Sequence, residues 1–577
     1  MRSPKLFRTL AVCTAAFLAA FPTFGAEETA PSPAAPATVE AAPAADAAAV
    51  GETSSLKEQI SANLIDLSAL QKAAEEQLNR TQVRMSLDDV VQMALKQNPD
   101  IIIASMEPGK ADADIYTAGG MFDPMAQLSL KRSRALAGTN AQIQALTGMK
   151  TIGDTKDEGM VGIGGKLVYG TQYAVQGTWG DEESSYGRVG KQYDSMLGMT
   201  LTQPILRGFG KKYNTVRIQQ ARNMRTLSAA QARLAMLKTV GDVIKSYWNL
   251  VGAVEGVKVT KQSLANAERL LQINETRRRI GTAADIEVLQ AKAGVAVRQS
   301  GVISATTQST DAGDLLKQQL LMRDGELFSK SVIVPTDRPN PSNAGLFDFT
   351  NFDESLDASV KRSLANRPEI TMSDMELANS QLEVYKSRNE MMPQLDVVGA
   401  YGQGGRDSTL SQALQGIWSK QNFSYSIGVQ GQVAINNRAA RGANTRARIT
   451  ERQSEERRKQ TEIALQTAVH VAARNVKANQ ILCESNRQAV RLQEVNVTAE
   501  EKRLRLGVTT SFQVLRVQED LTTAQLQELR ALISYETALV DLQIAEGSLL
   551  DNLGIKLEVS DTETPVPYWE SVHPRWE

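Results

Sequence analysis

The stretch Ser86-Leu87-Asp88-Asp89-Val90-Val91-Gln92-Met93-Ala94-Leu95-Lys96-Gln97-Asn98-Pro99-Asp100-Ile101 decides the reading, because the chain carries it twice. Ser355-Leu356-Asp357 through Ser363-Leu364-Ala365-Asn366-Arg367-Pro368-Glu369-Ile370 repeats it at an offset of 269 residues, and Pro124 and Pro393 keep that offset. Further along, Arg279-Ile280-Gly281 and Leu289 recur as Arg505-Leu506-Gly507 and Leu515, now 226 residues apart. The chain is therefore an internal duplication. Its first copy holds about 43 additional residues, most of them between Pro124 and Pro204.

Within each copy the texture changes. From Val161 the odd positions read Val161, Ile163, Gly165, Leu167, Tyr169, Thr171, Tyr173, Val175, Gly177 and Trp179, while the even ones are mostly small or polar. The pattern returns at Tyr193, Leu197, Met199 and Leu201, and in the second copy at Leu395, Val397, Gly399, Tyr401 and at Phe423, Tyr425, Ile427, Val429. Ten-residue segments with one apolar side, one small or polar side and aromatics near their ends suit a lipid-embedded barrel around a wet lumen. Tyr169, Tyr173, Trp179, Tyr401, Phe423 and Tyr425 are then the membrane-facing aromatics. A one-sided soluble sheet alternates in the same way.

Each strand region runs into a long helix. No proline occurs over 205–334 or 394–564, and no glycine between Gly442 and Gly507. At 1.5 Å per residue that last stretch is a rod of roughly 95 Å. Its large apolar residues are sparse: Ile449, Ile463, Leu465, Val469, Val476, Ile481, Leu482, Val490, Leu492, Val495 and Val497. A narrow stripe on a long rod suits a coiled-coil seam.

The beginning of the chain reads as an export signal. Arg2, Lys5 and Arg8 precede an apolar stretch over 10–24 and small residues at Gly25 and Ala26, the layout of a secretory signal peptide cleaved near Gly25. Residues 26–55 are Ala, Pro, Glu and Thr with few bulky apolar groups, a flexible leader, and 56–84 read as a polar-faced helix. With Cys13 in the signal, Cys483 is left alone, which excludes an intramolecular disulfide. Lys plus Arg number 64 against 65 Asp plus Glu, so no charge excess points to nucleic acid. Nothing after the signal approaches the ~20 apolar residues of a membrane helix.

Tools for catalysis are missing from the sequence. His470 and His573 have no Cys, Asp or Glu at metal-ligand spacing, so no metal, cofactor or catalytic residue is assigned. Gly162-Ile163-Gly164-Gly165-Lys166 lacks the second half of a nucleotide motif and opens no helix. The two turns are better specified. Arg279 and Arg505 are cations at helix C-termini, Gly281 and Gly507 can take the left-handed stop conformation, and Asp285 and Ser511 are candidate N-caps that restart a returning helix.

Taken in order, these residues resemble the TolC-type outer-membrane efflux proteins from about Ser86 to Gly554. Leu87-x-x-Val90-x-x-x-Ala94-Leu95-x-x-Asn98-Pro99 is similar to the family's opening helix, and Thr202-Gln203-Pro204-Ile205-Leu206-Arg207-Gly208-Phe209-Gly210 to its strand-to-helix junction. Arg279-x-Gly281-x-x-x-Asp285-x-x-x-Leu289 and Arg505-x-Gly507-x-x-x-Ser511-x-x-x-Leu515 are similar to its hairpin tips. The resemblance implies a homotrimer in the outer membrane, each protomer giving four strands to one twelve-stranded β-barrel continued by an α-helical coiled-coil tunnel in the periplasm. It implies a passive exit duct for efflux or type I secretion. Its tips, formed by Arg279, Gly281, Asp285, Arg505, Gly507 and Ser511, would meet a periplasmic adaptor that joins an inner-membrane efflux or ABC-type transporter.

Two departures stand out. Some members have aspartates just beyond the second tip, where this chain has Gln513 and Arg516, so the acidic gate does not carry over and a ring containing Arg516 could favour anions. The segment between Leu130 and Tyr193 is longer than the pattern and could add a hairpin. The expected divisions are a signal peptide at 1–25, the leader at 26–55, a first repeat at 56–330, a linker at 331–351, a second repeat at 352–555 and a tail at 556–577. A periplasmic coiled-coil scaffold with soluble sheets, and a surface hydrolase, are the other readings; the second lacks a nucleophile and base.

Overall fold

A computed structural model describes residues 81–184, 191–320, 331–339, 352–419 and 422–555. The expected signal peptide, leader, tail and most of the first helix lie outside them. In chain order the elements are β1 (Thr81–Met85), α1 (Leu87–Gln97), α2 (Pro99–Gly119), β2 (Met125–Gly138), α3 (Ala141–Thr147), β3 (Thr151–Lys166), β4 (Gln172–Ser184) and β5 (Gln192–Pro204). Then come α4 (Lys211–Asn214), α5 (Val216–Arg279), α6 (Asp285–Gln319), β6 (Ser331–Pro335), α7 (Phe352–Asn366) and α8 (Pro368–Glu390). The described chain finishes with β7 (Gln394–Asp407), α9 (Leu410–Gly416), β8 (Phe423–Gln432), α10 (Arg438–Arg505), α11 (Ser511–Glu546) and α12 (Leu549–Asn552).

Local chemistry sets the repeated opening. Ser86 and Asp89 form a reciprocal capping box, Asp89 N to Ser86 Oγ at 3.3 Å and Ser86 N to Asp89 Oδ2 at 3.0 Å, which starts α1 and holds the Asp89 carboxyl below the usual range. Proline ends each opening helix and begins the next, where its missing N–H costs nothing. Asn98 caps α2 and donates Nδ2 to Gln319 O at 2.9 Å. Arg367, its duplicate, donates Nη1 to Ile544 O at 2.5 Å. Each helix break is thus tied to the end of its own copy's returning helix.

The main sheet has six antiparallel strands in the order β2-β3-β4-β5-β7-β8. Its register puts Ala126, Ile163, Val175, Met199, Tyr401 and Tyr425 in one row across all six strands. The adjacent row is Gln127, Gly162, Gln176, Gly198, Gly402 and Ser424. Because neighbouring rows point to opposite faces, one face is apolar and the other small and polar. The expected four strands are corrected to six: the extra segment before Tyr193 is a hairpin that supplies two strands inside the same sheet.

Two short strands stand where the end of a helix and the start of a linker are expected. β1 pairs in parallel with β6, Val83 opposite Ile333. Ile333 is 1% exposed and joins Val240, Tyr247, Leu316 and Leu320 in the largest core. Tyr247 donates its hydroxyl to Asp337 Oδ2 at 2.6 Å, and Leu87 N donates to the same oxygen at 2.7 Å. Burial, then the Asp337 bond, pushes the Tyr247 phenol above its usual range. A five-residue strand shows too few alternations to be seen in sequence, and its partner here lies far along the chain.

The long helices are α5 with 64 residues and α10 with 68, the latter about 100 Å at 1.5 Å per residue. α5 returns as α6, and α10 as α11. The apolar stripe expected on α10 divides in two. Leu465, Val469, Val476 and Val490 are buried in the protomer, whereas Ile449, Ile463, Ile481, Leu492 and Val495 are each more than half exposed.

Candidate functional site

Three places on the chain bear on function: the sheet, its junction with the helices, and the tips. On the sheet, Tyr173, Trp179, Tyr401, Phe423 and Tyr425 share the apolar face by register. Tyr169 does not belong to a strand, because β3 ends at Lys166 and the chain turns before Gln172. The turn was invisible in the alternation for a simple reason. Gly165 pairs with Tyr173, so odd residues stay on the apolar face on both sides of it.

At the outer end of the sheet α9 lies over this same face. Gly405 makes room for it, since a Cβ there would stand 2.0 Å from Ala413 O, and Ser195 Oγ donates to Ala413 O at 2.7 Å. Ala413 is buried while Leu410, Leu414 and Trp418 are exposed. On the polar face at this end, Lys131, Lys156, Glu158, Glu182 and Asp194 line a cavity of about 560 Å³.

The junction is built on glycines and asparagines. Gly208 and Gly210 have φ of +85° and +99°, a conformation glycine adopts without a Cβ penalty. Asn214 Nδ2 donates to both Gly208 O and Gly210 O at 2.9 Å, and Gly208 N donates to Asn389 Oδ1 at 2.8 Å. The turn between β3 and β4 docks here, with Gly210 N donating to Tyr169 O at 3.2 Å. In the second copy Asn437 takes a left-handed φ of 39° and donates Nδ2 to Met391 O at 3.0 Å. Sequence reasoning found Gly208 and Gly210 but not Asn214, Asn389 or Asn437; Asn is the non-glycine residue that most readily serves such turns.

The two tips share one geometry. α5 ends at Arg279 and α10 at Arg505, and Gly281 and Gly507 follow with φ of +78° and +74°. Thr282 N donates to Arg277 O at 2.8 Å and Val508 N to Arg503 O at 3.0 Å, the bond that closes a left-handed helix stop. The restarting caps sit one residue earlier than expected. Ala284 precedes α6 without a side-chain bond, and Asp285 instead pairs with Arg278 Nε at 2.8 Å. Thr510 caps α11 by accepting from Gln513 N. Ser511 is wholly buried, 2.8 Å from Asn274 Oδ1 and 3.1 Å from Glu287 Oε2.

That contact joins the two hairpins, since Asn274 and Glu287 belong to the first and Ser511 to the second. Arg277 Nη1 stands 3.8 Å from Glu287 Oε2, and Leu270, Leu504, Val514 and Leu515 form a small core behind it. Beside it a cavity of about 320 Å³ is lined by Arg269, Ile273, Arg277, Arg505 and Gln518, among others. Gln513 and Arg516 are exposed on the side of α11 away from buried Val514, Leu515 and Val517. Cys483 is buried, which pushes its thiol up, and no described helix is long and apolar enough to cross a membrane.

Comparison with known proteins places these features in a family. The family model "Outer membrane efflux protein" matches residues 90–320 and 360–548. The pyoverdine export outer membrane protein OpmQ of Pseudomonas putida is 21% identical over 465 residues, covering 80% of this chain and 85% of that protein. The fold is that of the Campylobacter jejuni CmeC outer membrane channel, with a TM-score of 0.57 at 18% identity over 82% of this chain and 87% of that one. The open Neisseria gonorrhoeae MtrE channel gives 0.54 at 16% identity over 83% and 91%.

Proposed function

Because the chain belongs to the outer membrane efflux protein family, we propose that three copies assemble into a passive duct whose helical tips receive a periplasmic adaptor. The protein is an outer-membrane exit duct of an efflux system, with its helices in the periplasm. The single observation that carries the finer reading is the apolar face unbroken across six strands, which lead directly into two helical hairpins. Six strands are fewer than the eight of the smallest membrane barrels, so one copy cannot enclose a pore. The exposed stripe of Ile449, Ile463, Ile481, Leu492 and Val495 on α10 gives neighbouring copies an apolar seam to bury.

In this assembly the aromatics of the apolar face meet outer-membrane lipid, and the small, polar face lines the lumen. Substrate arrives from an inner-membrane efflux or ABC-type transporter through the adaptor and moves down its gradient, which needs no catalytic group in the duct. Because the OpmQ relative is a pyoverdine export protein, pyoverdine is the substrate to test first. Capture of the adaptor by site-specific crosslinking at Arg279 and Arg505 tests the docking. The crosslink is expected from both tips and lost on deletion of the adaptor gene. Equal yield from a mid-helix site such as Arg457 would sink the tip assignment.

Arg516 supplies a second test. A threefold ring of exposed guanidiniums concentrates anions in the lumen. Arg516→Glu is expected to shift single-channel selectivity toward cations by several-fold, with Arg516→Ala between the two. An unchanged reversal potential in both variants removes Arg516 from the constriction.

A further inference from the structure

Resting on the homotrimer reading, we infer that the barrel is closed from eighteen strands, with β8 of each copy paired to β2 of the next. The inserted hairpin is part of the wall. Its strands carry unbroken register from β2 through β3 and β4 to β5, and its apolar side continues theirs. Its inner turn is fixed to the top of the helices, where Gly210 N holds Tyr169 O and the Thr171 hydroxyl bonds the Gln203 side chain.

The two edges of the sheet identify the seam. β2 has 14 residues and β8 has 10, nearly all exposed; Leu130 is 72% and Ile427 82% exposed. In hydrocarbon an unpaired row of N–H and C=O groups costs several kcal/mol per group, so both edges must be covered. The occupant is another copy of this chain, because the directions match. β2 follows α2 and leaves the helical end, whereas β8 returns to it and enters α10. They therefore meet antiparallel, as in every other pair of the main sheet.

Three copies of six strands give eighteen. Since barrel diameter grows roughly linearly with strand number, this wall is about half again as wide as a twelve-stranded one. Glycines such as Gly162, Gly198 and Gly402 on the inner face keep that lumen clear. The narrowest part of the duct then lies in the helices and not in the membrane.

Disulfide trapping tests the seam in a Cys483→Ala background. Because the row through Ala126 and Tyr425 climbs about six residues within one copy, Tyr425→Cys on β8 is combined in turn with Leu130→Cys, Arg132→Cys, Arg134→Cys or Leu136→Cys on the same face of β2. A parallel set combines it with Gly177→Cys, Trp179→Cys, Asp181→Cys or Glu183→Cys, at the matching heights and on the same face of β4. After oxidation in outer membranes, a denaturing gel is expected to show covalent trimers from at least one β2 position and no intermolecular link from β4. Links from β4, or none from β2, overturn the β2–β8 seam, whereas a Gln127→Cys/Gly198→Cys or Gln127→Cys/Thr200→Cys disulfide closing within one copy overturns the eighteen strands, because β2 would then pair with β5 directly, leaving the β3–β4 hairpin outside a twelve-stranded barrel. A β2 ladder that stops at covalent dimers sinks the trimer while leaving the β2–β8 seam intact.

Discussion

Gly170→Val is expected to destroy the heat-resistant assembly in the outer membrane. Gly170 has φ +94°, and a Cβ there would lie 2.4 Å from Gly208 O, 2.9 Å from Asn214 Nδ2 and 3.1 Å from Pro204 Cγ. The nearest of these is backbone, held in turn by Asn214, so it cannot give way as a flexible side chain can. A positive φ costs a non-glycine residue about 1–2 kcal/mol, and more for a β-branched one. Moving the turn also breaks the Gly210 N bond to Tyr169 O, about 1 kcal/mol. The total, about 3 kcal/mol or more per protomer, falls on the joint between sheet and helices.

The matched control is Gly148→Ala, which shares the backbone sign, φ +73°, but has open space around its Cβ. It should cost only about 1 kcal/mol of strain. Assembled protein measured by heat-modifiable gel mobility should fall at least tenfold for Gly170→Val and stay near wild type for Gly148→Ala. Equal behaviour of the two variants would show that the docked turn contributes nothing beyond its dihedral angle.

Val240→Asp is expected to abolish folding outright. Val240 is 0% exposed and shares a hydrophobic core cluster with Leu237, Val243, Ile244, Leu316, Leu320 and Ile333. A carboxylate placed among these apolar side chains loses its water, which costs several kcal/mol even after it takes up a proton. Val240→Ala removes only methyl groups and should cost about 1–3 kcal/mol. Outer-membrane fractions should contain no Val240→Asp protein and reduced but assembled Val240→Ala. Normal levels of the aspartate variant would mean that the β1–β6 pair does not seal this core.

How much of this was legible before the fold was known depended on whether a feature repeats along the chain. The opening Ser-Leu-Asp helices, the tips at Gly281 and Gly507 and the glycine-free rod were readable because helix stops and starts are local chemistry, written within a few residues. The apolar face of the sheet was readable too, because alternation carries it. The cap positions at Asp285 and Ser511 were misplaced by one residue, since Thr510 and Ser511 are both competent caps and only packing against Asn274 and Glu287 draws Ser511 inward.

Period and punctuation along the chain thus determined the duplication, the two-faced strands, the long rods and the family. Tertiary structure decided the strand count, the pairing of β1 with β6, the splitting of the α10 stripe into buried and exposed halves, and the docking of the turn at Gly170 against Gly208. The reason is physical. A turn that preserves side-chain parity leaves the alternation intact, and pairing between segments distant in the chain depends on surfaces that exist only once both have folded.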